Sequence, residues 1–135
     1  MKRFENDYVS MWIDDGILFS SYKINLAIDL ERAKKIVEDR LSFTEGRSYL
    51  ILIDFSNIKS VSKEARDYMN DPDGGLKGIL GGAFLSNNVV GTLFINLYIK
   101  INRPSTPTRF FTNKDEALQW LRKIKAGMEA EPVSH

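Results

Sequence analysis

The sequence predicts an α/β domain: an N-terminal β-hairpin and then β–α units, building a four-to-five-stranded mixed sheet with helices packed on it. Three observations carry this. Residues 49–53, Tyr-Leu-Ile-Leu-Ile, form an unbroken apolar run of strand length, the kind buried on both faces of a sheet. Asp14-Asp15-Gly16 stands between two apolar runs, a short-range hairpin signal because a tight turn there needs positive φ. From residue 29 onward, helix-period and strand-period segments alternate, as a mostly parallel sheet requires.

The elements follow in order. Residues 8–13 and 17–22 are the hairpin strands. Asp29 is a good N-cap for a helix in which Leu30, Ala33, Val37 and Leu41 recur at spacings of three and four, with Ile36 widening the stripe. Glu31 stands four residues before Lys35, the better orientation for a helical ion pair, and Gly46 closes the segment. The strand at 49–53 stops at Asp54, and a polar loop carries Ser56, Asn57, Ser60 and Ser62. A helix then starts near Lys63, with Ser62 as its cap and Glu64 in its first turn. Asp71-Pro72-Asp73-Gly74-Gly75 ends that helix in a turn, and residues 80–85 read as a short strand softened by Gly81 and Gly82.

Residues 89–101 return to a helical period through Val90, Leu93, Phe94, Leu97 and Ile101, while Ile95, Tyr98 and Ile99 make the other sides apolar. Pro104 and Pro107 bound a turn, residues 109–111 are a short strand, and the Thr112-to-Asp115 spacing fits a capping box. The last helix lines up Ala117, Trp120, Leu121, Ile124 and Met128. One domain over residues 1–128 is expected, with 129–135 a disordered tail.

Composition excludes several classes. A net charge of +1 offers no field for nucleic acid, and the absence of cysteine removes disulfides, thiolate zinc sites and cysteine nucleophiles. Met1-Lys2-Arg3 is followed by Phe4-Glu5-Asn6-Asp7 and not by an apolar leader. The most apolar stretch is shorter than the roughly 20 residues a membrane span needs. A cytoplasmic protein with no transmembrane segment and no nucleic-acid partner is expected.

No catalytic set assembles from these residues. His135, the only histidine, is the last residue, where an imidazole is poorly held for triad chemistry. Asp71-Pro72-Asp73-Gly74 lacks the other ligands of a calcium loop and reads as a plain turn. Gly74, Gly75, Gly78, Gly81 and Gly82 match neither phosphate-binding pattern and read as places where backbone passes closely. Asp14 and Asp15 are turn residues, and Asp54 is a strand-end carboxylate placed to accept from loop amides. Arg103, Arg109, Lys114, Arg122, Lys123 and Lys125 read as a solvated basic face. Neither enzymatic activity, metal nor cofactor is expected. For residues 89–101 three roles stay open: an inner helix, a dimer surface, or a pocket wall. A mixed core-and-dimer role ranks first, giving an expected homodimer.

The segment Ile53-Asp54-Phe55-Ser56-Asn57-Ile58-Lys59-Ser60-Val61-Ser62 resembles the central segment of STAS domains, the anti-sigma-factor-antagonist-like family. There a buried strand ends in Asp-aliphatic-Ser-Gly, and a short loop leads to Asp-Ser and a helix. The element order resembles that family across nearly the whole chain, and the chain is similar to small bacterial proteins described as SpoIIAA-like. The resemblance implies a non-catalytic regulatory module acting on an unknown protein partner through Asp54, Ser56, Asn57, Ser60, Ser62 and Lys63. The chain departs from the pattern: Asn57 replaces the glycine, Ser62 the aspartate, and Lys63 the serine that the antagonists phosphorylate. The phosphorylation switch is therefore not implied, and Ser62 reads first as a helix cap. The alternative is a small apolar-ligand or lipid-binding protein of CRAL-TRIO-like architecture, with a pocket or surface formed by Phe84, Phe94, Leu97 and Tyr98.

Overall fold

A computed structural model describes residues 2–87 and 106–130. Strands β1 (Lys2–Glu5), β2 (Val9–Asp14) and β3 (Ile17–Tyr22) run antiparallel to one another in turn. The β2–β3 connection places Asp15 at φ 52° and Gly16 at φ 73°, both in the left-handed region. A two-residue turn with this geometry matches the twist of the flanking strands, which is why Asp-Gly sits there. Next come β4 (Leu26–Ile28), α1 (Leu30–Phe43), β5 (Tyr49–Asp54), β6 (Ile58–Val61), α2 (Lys63–Met69) and β7 (Ile79–Leu85). The last two elements are β8 (Thr108–Phe111) and α3 (Lys114–Ala130).

The main sheet has six strands in the order β1-β2-β3-β5-β7-β8, and β4 and β6 form a separate two-stranded ribbon. From β3 to β8 the neighbours are parallel. The sheet is thus mixed, as expected, but has more strands than the expected four to five. The added edge strand β1, Lys-Arg-Phe-Glu, shows no apolar period because an edge tolerates charge; Phe4 packs on the core, against Phe43 at 5.8 Å. The ribbon strands are three and four residues long, too short to announce themselves by alternation. Ser60, expected in a loop, therefore lies in β6, paired with Ala27.

Two apolar clusters sit on opposite faces of the sheet. Alternation along β5 divides them: Ile51 points to the α1/α2 side, and Leu50 and Leu52 to the α3 side. Crossovers of one hand stepping in one direction across the sheet put α1 and α2 on the same face. Helix α1 buries Ala33, Ile36, Val37, Arg40 and Phe43, and the Asp29 carboxylate caps it by accepting from the Arg32 amide at 2.9 Å. Helix α3 buries Ala117 and Leu121 completely, while Met128 stays exposed. Its cap is Asn113, one residue after the expected Thr112: the Asn113 side-chain oxygen accepts from the Glu116 amide at 3.1 Å. Asparagine holds the cap because its side-chain carbonyl reaches the third amide of the helix.

The turn after α2 shows why glycine is needed there. A Cβ on Gly75 would lie 2.3 Å from the Met69 carbonyl oxygen, so the chain folds back against the helix end only without a side chain.

Candidate functional site

Strands β3 and β5 are parallel and end side by side, Ser21 opposite Asp54. Both chains leave the sheet at the carboxyl end of these strands, the usual working edge of an open α/β sheet. The two exit loops are tied together. Asn25, in the left-handed region at φ 58°, donates its amide to the Asn57 carbonyl at 2.9 Å. The Asn57 side-chain amide donates to the Tyr22 carbonyl at 3.3 Å. Asp54 accepts the Ser56 amide at 2.8 Å, closing a turn through its own carboxylate. The Phe55 amide bonds the Leu85 carbonyl at 2.8 Å, and its ring is buried between Tyr22 and Phe84, at centroid distances of 5.1 and 5.3 Å. The loop is therefore bolted to the core by its own second residue.

Ser56 accepts from the Asn87 amide at 3.4 Å. The Ser62 amide donates to the Ile28 carbonyl at 2.9 Å, and its hydroxyl accepts from the Ala65 amide at 3.1 Å, capping α2. Lys63 opens α2 in solvent and pairs with Asp67 at 2.9 Å, a contact that raises its pKa. The structure thus gathers Asp54, Ser56 and Asn57 at the sheet edge, places Ser62 and Lys63 at the start of α2, and sets Ser60 on the exposed ribbon.

Two features escaped sequence reasoning. Ile24, in the β3–β4 loop, is 76% exposed and neighbours the bond between Asn25 and Asn57. A lone isoleucine after a strand carries no period that would single it out. The second is Arg40, only 5% exposed. It donates to the Lys77 carbonyl at 2.8 Å and the Gly75 carbonyl at 3.0 Å. Burial lowers the guanidinium to about 10, weakly opposed by the Tyr22 and Tyr68 hydroxyls. The signal was present: positions 33, 36, 37 and 40 share one helical face, and a charge on that face is rarely idle.

Arg40 borders a cavity of about 60 Å³ between the sheet and the α1/α2 layer. Phe84 is buried and borders the same cavity, while Phe94, Leu97, Tyr98 and the expected dimer segment 89–101 lie outside the described residues. Among the described residues no group of three or more His, Cys, Asp or Glu side chains is placed to hold a metal ion. No helix among them is long and apolar enough to cross a membrane. Among the described residues, the assembled geometry presents donors, acceptors and an apolar side chain for contact.

A hairpin leading into a mixed sheet, with the strand-end aspartate and serine loop feeding a short helix, makes up a SpoIIAA-like fold. A crystal structure of an uncharacterized protein from the DUF3478 family with a SpoIIAA-like fold, from Shewanella loihica PV-4, is similar to it. The match has a TM-score of 0.56 and 16% identity, covering 87% of this chain and 98% of that one. The chain belongs to the family described as domain of unknown function DUF7793, whose profile matches residues 11–125. No curated protein matches it in sequence.

Proposed function

We propose that this chain is a non-catalytic, STAS-like protein-interaction module whose contact surface is the pair of loops at the carboxyl ends of β3 and β5. The observation that carries this reading is Ile24: an exposed apolar side chain on a loop that backbone and side-chain hydrogen bonds to residue 57 hold in place. A rigid, exposed apolar group flanked by polar groups resembles the anchor of an interface, since little ordering entropy is lost on contact. Asn57 and Ser56 lie beside it, with Lys63 at the start of the next helix. Lys63, paired with Asp67, stands where the STAS antagonists present a phosphorylatable hydroxyl, so contact here does not depend on a phosphate at that position.

Affinity capture from the native cell tests this with three baits: wild type, Ile24→Asp combined with Lys63→Glu, and Arg122→Glu on the opposite face. A partner held by wild type and by Arg122→Glu but lost by the loop variant is the expected result. Retention by the loop variant contradicts it.

A second reading, binding of a small apolar ligand, is favoured by the cavity that Phe84 borders. Native mass spectrometry of freshly purified protein checks it through a reproducible added mass that is lost on denaturation.

A further inference from the structure

The cavity between the sheet and the α1/α2 layer is apolar along most of its wall, through residues such as Ile36, Ile51 and Phe84. Two arginines, Arg40 and Arg66, also border it. The ion pairs among the described residues include neither. The sequence sharpens this point, for no Asp or Glu stands between Asp73 and Asp115, the stretch that contains Thr106 and Thr108 on the cavity wall. Two donors are left over at the same place. The Arg66 Nε–H and the Thr106 hydroxyl are both buried, and neither has a hydrogen-bond partner. A buried donor without an acceptor is costly, more so on a charged group, and such groups are rare in native interiors.

Arg40 already donates to two backbone carbonyls, whereas the buried Arg66 Nε–H donates to none, so Arg66 is the cation with a donor left over. One such cation with one hydroxyl suits a monoanion; a phosphate dianion in so apolar a space would need more donors. Size sets a second limit. A water occupies about 10–15 Å³ in this measure, so the cavity takes about four to six water-sized groups.

We infer that the cavity binds a short aliphatic monocarboxylate, with its carboxylate accepting from Arg66 and Thr106 and its hydrocarbon part packed against Ile36, Ile51 and Phe84. This rests on the second reading above, that the cavity holds a small ligand, and adds its charge and length.

The test follows amide chemical shifts in NMR spectra of the wild-type chain during titration with sodium butyrate, 1-butanol or inorganic phosphate at constant ionic strength. Butyrate is expected to give saturable shifts at Ile36, Ile51 and Phe84 in the millimolar range. Butanol should bind at least about tenfold more weakly, and phosphate should give no saturable shift at those residues. Arg66→Gln is expected to bring the butyrate-to-butanol ratio close to one, with Arg66→Lys keeping part of the preference. Equal binding of butyrate and butanol by wild type overturns the inference while leaving an uncharged-ligand cavity standing. No saturable shift from either one overturns the inference and the second reading together. The wild-type comparison decides the matter even if a variant fails to fold.

Discussion

The two faces of the sheet solve the same packing problem in different ways. On the α3 face, Ile17, Phe19, Leu50, Leu52, Ala83, Leu85, Phe111, Ala117 and Leu121 form one buried apolar cluster. On the α1/α2 face, an equally buried layer admits Arg40, a cavity and two unpaired donors. A charged group in the interior costs free energy even when backbone carbonyls receive it. One face therefore packs apolar groups alone, and the other carries buried polar groups that lower its stability. The contact loops at the ends of β3 and β5 are anchored to that second face through Phe55.

The largest effect is expected on the dry face. Leu121→Ala should cost about 2–5 kcal/mol in denaturant unfolding, since a fully buried leucine leaves a void there. Adding volume separates the faces next. Ala83→Val has no space to enter and should cost about 1–3 kcal/mol. Val37→Ile adds one methylene beside the cavity and should be neutral or gain up to about 0.8 kcal/mol. Equal costs for these two variants would erase the distinction between the faces.

The folded state lowers the Arg40 pKa to about 10, so over the range from there to its ordinary value the unfolded chain binds more protons than the folded one. The stability this group contributes is complete only above its unfolded value and is lost as pH falls through about 10. Relative to Arg40→Met, wild type should therefore gain about 1 kcal/mol between pH 9 and pH 11 by linkage, in unfolding curves measured at both values. A flat difference would mean that burial does not penalise the charge. Ser62→Ala should lose about 1 kcal/mol with the α2 cap, read as a lowered unfolding midpoint.

Much of the fold could be read in the residues, for identifiable reasons. The Asp-Gly turn, the apolar run at β5 and the caps Asp29 and Ser62 are local signals, and each produced the element expected of it. Strands β1, β4 and β6 were missed because edge position and short length remove the pattern that marks a strand. At the candidate site, Asp54 could be read as a loop-holding carboxylate because its role is local. Arg40 carried a signal as a charge on the buried face of α1, but Ile24 and the place of Arg66 on the cavity wall did not, because exposure singles out the one and shared space between distant segments the other.

Amide hydrogen exchange of the chain alone and in complex with its captured partner tests the central claim most directly. New protection at residues 23–25 and 55–63, with α3 unchanged, is the expected result. Protection confined to α3, with those loops exchanging as in the free chain, would contradict it.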